Sequence, residues 1–346
     1  MTTTETPAAG AGPAPTVQRL AAQRSFWERT NKATLVMAAV TLAVVVFFAV
    51  ADENFLTFAN ISNLATQVGP VLIVGVAMTF VITAGQIDLS VGSIVAFVAA
   101  ISAQLLLSGW DSSLVVVAAL LMGLGWGLVN GWFTAYQGIP AFIVTLATLS
   151  VVRGLALFQT EGFSVPIAST TFVARLGTAR WLGFSATAWI ALVVVVLGIV
   201  LLHHTRFGQY VIGIGAAQES VRRAGVNVKL VTMAALGFSG LAAGLAGLLI
   251  AARLGSGSAN SAQGFELTVI AAVVLGGTSL LGGRGTIVGT MIGALLTGVI
   301  ANGLTLLSVS PYLTPIITGA VLVLVVWINL RGKDLGYLVQ RLTRRT

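Results

Sequence analysis

Ten apolar runs, each about as long as a helix that crosses a lipid bilayer, dominate this sequence. Hydrophobic residues make up 57% of the 346 residues and the mean hydropathy is +0.99, which is too high for a soluble domain of this size. Backbone groups in lipid must bond within their own segment, so continuous runs predict helices, whereas a β-barrel needs short alternating segments. We predict an all-α polytopic membrane helix bundle with spans at 34–51, 64–83, 89–107, 114–136, 141–159, 187–203, 229–252, 266–281, 286–308 and 311–330.

Positive charge is distributed unevenly between the segments that join these spans. With the N-terminus inside, four of the 18 Lys and Arg residues lie outside or within a span: Arg153, Arg175, Arg180 and Arg253. Cytoplasmic loops are enriched in Lys and Arg, so we predict cytoplasmic termini in two basic tails, a disordered one at 1–33 and another at 331–346. A multi-pass protein of the bacterial cytoplasmic (inner) membrane fits this pattern. The net charge of +8 then needs no nucleic-acid partner.

The predicted cytoplasmic loop 204–228 is unusually polar for this chain, whose charged residues are only 8% of the total. It contains a plausible short helix from Ala216 to Ala224, which Gly225 closes. The helix carries three charged side chains, Glu219, Arg222 and Arg223. A capped, charged helix on a membrane protein predicts contact with a soluble partner.

A first break between apolar runs lies at Gly85–Gly92, where an amide, an acid and a hydroxyl occur as Gln86, Asp88 and Ser90. A carboxylate near membrane depth is costly and normally faces a cavity or a partner. One interpretation is a chain break that lines the translocation path or its inner gate. The other is a cytoplasmic turn in which Asp88 caps the following helix.

A second glycine-rich break runs from Gly276 to Thr286 and places Arg284 at the predicted cytoplasmic face. We interpret it as a second discontinuous helix, because breaks in both halves of a transporter point to the transport path. The chain has no Gly-x-x-x-x-Gly-Lys-Ser/Thr phosphate loop, so we predict no nucleotide-hydrolysing site and no enzyme activity. Without cysteine or a metal-ligand pattern, we expect no bound cofactor or metal.

Polar and small residues inside the spans complete the candidates. Candidate pathway residues are Asn130, Thr145, Thr148 and Asn302, since amides and hydroxyls can bind a polyol. Each one taken singly is more often a helix–helix hydrogen bond. The Gly-x3-Gly pairs at Gly240 and Gly289 predict close helix contacts, mostly inside the bundle. Arg153 is expected to extend toward the outer interface, toward Glu161.

Taken together, these motifs resemble the permease subunit of a bacterial ATP-binding-cassette (ABC) importer, in the ribose/xylose/arabinose permease family. The resemblance covers about 54–330. It rests on five stretches: Ala84–Ser93, Ile139–Thr148 with Arg153-Gly154, Thr205–Gly225, Gly264–Leu267 and Gly276–Gly289. The family usually has Gly where this chain has Gln86, so backbone freedom at that position is not assured here.

The resemblance implies a permease of about ten helices, usually a homodimer, that imports a monosaccharide such as ribose, xylose or arabinose. Two cytoplasmic ATPase subunits would bind ATP and Mg, and an extracytoplasmic sugar-binding protein would deliver the substrate. The short cytoplasmic helix, here Ala216–Ala224, would dock into the ATPase. Its expected coupling residues are Ala216, Ala217, Glu219, Arg222, Arg223 and Gly225.

Other classes of transporter remain open at this point. An ion-coupled secondary transporter would need a buried titrating carboxylate, for which Asp88 and Glu266 are the only candidates near spans. A channel would need a charged ring or carbonyl filter. Within the ABC class, permeases for other small polar solutes, such as branched-chain amino acids or nucleosides, are the nearest alternative.

Overall fold

The structure, a computed structural model, describes residues 34–310, 312–314, 316–320 and 323. The predicted tails and most of the predicted span 311–330 lie outside the described residues. In the described part the helices are α1 (Thr34–Ala51), α2 (Phe58–Thr83), α3 (Val91–Leu107), α4 (Ser112–Ala135), α5 (Ala141–Thr160), α6 (Phe172–Thr178), α7 (Ala186–His204), α8 (Arg206–Arg223), α9 (Val228–Leu254), α10 (Phe265–Leu275) and α11 (Ile287–Leu306).

The chain forms a polytopic membrane helix bundle, as predicted. Seven of the described helices are long and apolar enough to cross a membrane: α1, α2, α4, α5, α7, α9 and α11. The predicted bounds of the span 266–281 are wrong, because α10 ends at Leu275 after 11 residues, where the predicted glycine-rich break begins. A helix of that length rises only about 16 Å, roughly half of a hydrocarbon core. Gly277, directly after the C-cap, adopts a left-handed backbone conformation that ends the helix, and Gly282 and Gly283 do so later in the same connection.

The centre of the bundle is α2, which is apolar around most of its circumference. It packs against α7, α9, α10 and α11, and from Gly69 to Thr83 nearly every residue is buried or half-buried. An apolar helix in a membrane protein can face lipid as well as protein, so it is this burial among other helices that places α2 inside the bundle. By contrast, α1 lies at the edge, where Phe48 lies beside Gly303 near the end of α11 and Met37 belongs to the same apolar cluster.

Glycines bring α4 and α9 into close contact. A Cβ atom added to Gly123 would collide with the Gly240 carbonyl oxygen, and one added to Gly127 would collide with the Leu236 carbonyl oxygen. The contact at Gly240 inside the bundle is therefore confirmed. Likewise, Gly289 meets Gly276, between α10 and α11.

Four two-residue strands lie at the end of the bundle opposite to α8. Strand β1 (Val165–Pro166) pairs antiparallel with β4 (Ser256–Gly257), and β2 (Arg180–Trp181) pairs with β3 (Phe184–Ser185). The first pair ties the α5–α7 connection to the end of α9, and the Ser62 hydroxyl, which donates to the Gly183 carbonyl oxygen, ties this connection to the start of α2. Helix α6 joins them, since a Cβ added to its Gly177 would collide with the Ala252 carbonyl oxygen.

Candidate functional site: two helix breaks and the polar loop

The first break, residues 84–90, is an irregular segment that lies among helices. Gly85 ends α2 in a left-handed conformation, with φ of 76°. Gln86 is half-buried and its backbone N–H reaches the Val81 carbonyl oxygen at 3.0 Å. Its φ is not positive, so the turn needs glycine at position 85 and tolerates Gln at position 86.

Asp88 organises the start of α3 from a fully buried position. Its Oδ1 accepts hydrogen bonds from the Ser90 backbone N–H at 2.9 Å and from the Ser90 hydroxyl at 2.6 Å. This is an Asx turn, in which the acid bonds the residue two positions on. Ser90 is the N-cap residue of α3 and no side chain caps the helix, so Asp88 fixes the turn before the helix and does not cap its first N–H groups.

The Ser90 hydroxyl links Asp88 to two more helices. Asn130 of α4 donates from Nδ2 to Ser90 Oγ at 2.8 Å, and Thr148 of α5 donates to Asn130 Oδ1 at 2.6 Å. Asn130 precedes the end of α4 by five residues, so this chain of bonds lies about 8 Å inside the helix end. Four predicted pathway residues thus form one buried polar network, and α3 begins within the depth of the bundle.

Besides Gln86, which is half-buried in the break, two other predicted pathway residues lie outside the network. The Thr145 hydroxyl lies 3.3 Å from the Ile87 carbonyl oxygen, which keeps it beside the break. Asn302 is remote from the break: its amide exchanges two hydrogen bonds with the amide of Asn60, at 2.9 and 3.0 Å. This pair joins α2 to α11 and is the helix–helix hydrogen bond that the sequence left as an alternative.

One acceptor in the polar network is left over. Asp88 Oδ2 is buried and accepts no hydrogen bond from any residue that the structure describes, although Ser239 of α9 faces the same carboxylate. A buried oxygen without a partner carries the full cost of its desolvation. The break is therefore a place where a small rearrangement would bring a new hydrogen bond.

The second break meets the first one directly. The backbone N–H of Gly283 donates to the Thr83 carbonyl oxygen at 2.8 Å, which joins the α10–α11 connection to the end of α2. A Cβ added to Gly282 would lie 3.0 Å from the Cα atoms of both Gly85 and Gly215. Two breaks and helix α8, far apart in sequence, thus share one glycine-lined contact. Only glycine leaves room for it.

The polar loop predicted between 204 and 228 folds as α8. Its backbone leaves the helical conformation at Ala217, where φ is −161° and ψ is 76°, so the predicted short helix is its second segment. Gly215, just before the kink, packs so tightly that a Cβ would collide with the Thr83 carbonyl oxygen. The kink therefore lies next to the shared contact of the two breaks.

The charged side chains of α8 pair with one another. Glu219 contacts Arg222 at 2.7 Å and Arg223 at 3.1 Å, and all three side chains are more than half exposed. Hydrogen bonds from Arg222, which has the larger effect, and from Arg223 hold the pKa of the Glu219 carboxyl below its ordinary value. Gly225 ends the segment with φ of 84°, as a helix C-terminus prefers.

Arg153 has a role that the sequence did not indicate. It does not extend toward Glu161: its Nη1 donates to the carbonyl oxygens of Ala259 and Ser261, at 2.6 and 2.9 Å. These carbonyls belong to the irregular segment before α10. Arg153 thereby holds this segment against α5. Helix interiors carry no sequence mark for partners more than a hundred residues away, so this role was missed.

Among the described residues, no group of three or more His, Asp or Glu side chains lies close enough together to hold a metal ion. The buried network consists of hydroxyl, amide and carboxylate groups. Such groups bind polar, uncharged solutes by hydrogen bonds.

A known protein family matches the part of the chain that contains these breaks. The family model described as "Branched-chain amino acid transport system / permease component" matches residues 60–326. That range contains both helix breaks and all of α8. No solved structure matches the chain.

Curated relatives cover nearly the whole chain. The ribose import permease protein of Escherichia coli strain K12 is 37% identical over 91% of this chain and 98% of its own length. The L-arabinose ABC transporter permease protein of Azospirillum brasilense is 36% identical over 88% of this chain and 89% of its own. The xylose transport system permease protein of Escherichia coli K12 is 31% identical over 86% and 92%.

Proposed function

This chain belongs to the branched-chain amino acid transport system / permease component family, and we propose that it is the membrane-spanning subunit of an ABC importer for a monosaccharide. One observation carries the substrate class: relatives named for ribose, arabinose and xylose transport match at 31–37% identity over most of the chain. The buried hydroxyl, amide and carboxylate groups at the first break suit the same kind of solute. The subunit is a transporter component, not an enzyme.

Energy comes from a separate cytoplasmic ATPase subunit that holds ATP and Mg, and an extracytoplasmic sugar-binding protein delivers the substrate. The second segment of α8, from Ala217 to Arg223, is the docking helix for the ATPase. Its exposed charges and the kink at its start support this role. Ala216 and Gly225 mark the two ends of the docking segment.

Movement of the docking helix reaches the sugar path through the glycine-lined contact. Gly215 touches the end of α2 and the second break at once, so a force on the docking helix that is transmitted through Ala216 to Gly215 displaces both breaks together. The hydrogen-bonded chain of Asp88, Ser90, Asn130 and Thr148 closes the first break when the helix is at rest. Opening exposes Asp88 Oδ2 to a sugar hydroxyl.

In the membrane, two copies of the chain form the pathway as a homodimer in the bacterial inner membrane. Each copy has about ten helices, with both termini in the cytoplasm. The excess of Lys and Arg on one side supports this orientation. Helix α8 and both breaks then face the cytoplasm, where the ATPase is.

The test is sugar uptake into liposomes that contain the purified complex. We expect uptake of radiolabelled ribose, arabinose or xylose only when the ATPase subunit, ATP and the matching binding protein are all present. Uptake by this subunit alone, driven by a proton or sodium gradient, would show a secondary transporter instead. Uptake of a branched-chain amino acid with no sugar uptake would keep the importer and change its substrate.

A charge swap on α8 separates docking from helix stability. Arg222→Glu with Arg223→Glu is expected to abolish sugar-stimulated ATP hydrolysis, because it reverses the charge that the ATPase meets. Adding Glu219→Arg to this variant restores both pairs within the helix. If the triple variant is still uncoupled, the charges contact the ATPase; if it recovers full activity, they only stabilise the helix. Arg175→Glu, at the opposite end of the bundle, is the control.

A further inference from the structure

A polar cavity of about 540 Å³ lies at the end of the bundle opposite to α8. Asn63 and Gln67 line it from the first turns of α2, Thr178 from the end of α6, Ser185 from the start of α7, and Arg180 and Arg253 from either side. Helix α9 is 27 residues long, which separates Arg253 from the α8 end by about 40 Å. None of these residues takes part in the breaks described above.

The walls of this cavity are held in place by specific contacts. The Ser62 hydroxyl donates to the Gly183 carbonyl oxygen at 2.7 Å, and the Thr66 hydroxyl donates to Ser185 Oγ at 2.8 Å. On the other side, Gly177 packs against the Ala252 carbonyl oxygen. The loop that carries Arg180 and the end of α9 are thereby fixed on either side of the cavity.

Neither guanidinium group has an acidic side chain within 4.0 Å in the part of the chain that the structure describes. Among the described residues, only Glu219 has a basic side chain within 4.0 Å, and its partners are both on α8. Arg180 uses only Nη1, which donates to Ser62 Oγ at 2.7 Å and to the Gly183 carbonyl oxygen at 3.3 Å. Its Nε and Nη2 hydrogens remain for a ligand, since a guanidinium carries five N–H groups.

We propose that this cavity binds an oxyanion, with a phosphate group held between Arg180 and Arg253. A guanidinium group matches the geometry of a phosphate and can donate two parallel hydrogen bonds to two of its oxygens. The amides of Asn63 and Gln67 and the hydroxyl of Thr178 add neutral donors. Both arginines are exposed, so water solvates them when the cavity is empty, and a phosphate would gain charge-assisted hydrogen bonds that a neutral sugar cannot form. The cavity volume is in the range of small-ligand pockets, so the phosphate belongs to a small phosphorylated solute or to a phospholipid headgroup.

The direct test is equilibrium binding of radiolabelled inorganic phosphate to the full-length chain in detergent, at constant ionic strength so that screening is unchanged. We expect saturable binding at one site per chain. Arg253→Gln and Arg180→Gln should each raise the Kd at least about tenfold, the effect of losing one hydrogen-bonded ionic contact. Arg175→Gln is the matched control, because Arg175 is an exposed arginine of α6 outside the cavity.

Folding is checked by the unfolding temperature of each variant without phosphate. Arg180→Gln loses hydrogen bonds to Ser62 and Gly183 and could lower the unfolding temperature for that reason alone. In that case the Kd of Arg253→Gln is the deciding measurement, because the Arg253 side chain forms no hydrogen bond with any residue that the structure describes. Equal phosphate binding by all variants would overturn the proposal. A rise of the unfolding temperature with ribose or xylose, together with no binding of phosphate, would also overturn it. That result would make the cavity a part of the sugar path.

Competition then identifies the source of the phosphate group. Displacement of labelled phosphate by short-chain phosphatidylglycerol, but not by glycerol 3-phosphate, supports a lipid headgroup. The reverse result supports a water-soluble phosphorylated solute. Either result keeps the site, and neither depends on which sugar the importer carries, so this test can fail while the proposed function stands.

Discussion

Two hydroxyl residues on α5, Thr148 and Ser150, differ in what their side chains do. Thr148 donates to a buried amide at 2.6 Å, whereas Ser150 is exposed and bonds its own helix at 3.4 Å. Hydrogen bonds within one helix leave no other residue unsatisfied when they are removed. The two positions therefore form a matched pair for measuring the network at the first break.

Thr148→Val is expected to lower the free energy of unfolding by about 1–3 kcal/mol, because it leaves Asn130 Oδ1 buried without its donor. Ser150→Ala should change it by less than about 0.5 kcal/mol. Thermal unfolding in detergent, read by intrinsic tryptophan fluorescence, measures both. Equal effects of the two substitutions would mean that the network contributes nothing beyond packing.

Glu219 is expected to titrate below its ordinary pKa of 4.5, because Arg222 and Arg223 donate hydrogen bonds to its carboxylate. A lowered pKa means that the ion pairs stabilise the helix at neutral pH and that this contribution is lost as the pH falls through the folded value. Carbon NMR of labelled glutamate side chains in the full chain measures the midpoint. In Arg222→Gln with Arg223→Gln the midpoint should return toward 4.5, and an unchanged midpoint contradicts the pairing.

At the scale of elements, close contact between α4 and α9 depends on the face that each glycine occupies. Gly123 faces the Gly240 carbonyl oxygen, whereas nothing lies within 4 Å of a Cβ added to Gly125. Both glycines lie inside the same helix. One substitution therefore pushes the helices apart, and the other only removes the flexibility that glycine gives to a helix.

Gly123→Ala is expected to destabilise the protein by about 1–3 kcal/mol, as overpacking of a tight contact does. Gly125→Ala is expected to be neutral or to stabilise by up to about 1 kcal/mol, the difference in helix propensity. Unfolding temperatures of the two variants in the same detergent give the comparison. A stabilising Gly123→Ala would mean that α4 and α9 move apart at no cost.

The sequence predicts well those features of the helices that depend on neighbouring residues. Both breaks fall where glycine and polar residues interrupt apolar runs, and the Gly-x3-Gly contact of α9 is where small residues predict it. The span 266–281 was wrong because hydropathy averages over a window and does not see that α10 stops at Leu275. Helix α10 is apolar, as predicted, but it is too short to cross the membrane.

Long-range contacts are what the sequence does not reveal. Asn302 looked like a pathway residue because it is polar within a span, yet its partner is Asn60, 242 positions away. Arg153 likewise finds carbonyls about a hundred positions along the chain. The meeting of Gly85, Gly215 and Gly282 depends on three segments at once, and no spacing rule within one segment predicts it.

For the whole molecule, orientation in the membrane is the property that single cysteines can measure, because the chain has none of its own. Ser108 and Gln137 are both exposed and flank α4, which is 24 residues long and about 36 Å from end to end. They must therefore lie on opposite sides of the bilayer.

In intact cells, Ser108→Cys should react with a membrane-impermeant maleimide, and Gln137→Cys should react only after the cells are opened. Cytoplasmic termini and the excess of basic residues near α8 require this order. Uptake of the sugar by each variant shows that it is folded. Labelling in the reverse order would turn the whole bundle over and place α8 outside the reach of an ATPase.

The position of α2 has a consequence for how the protein is made. Among the described helices only α1 precedes this helix, but the helices that cover it, α7, α9, α10 and α11, are synthesised a hundred or more residues later. Until then α2, which contains glycine and threonine and is buried in the folded protein, is in contact with lipid or with the insertion machinery. The hydrogen bond from Gly283 to the Thr83 carbonyl oxygen forms only after most of the chain has emerged, so assembly of the bundle is completed late in synthesis.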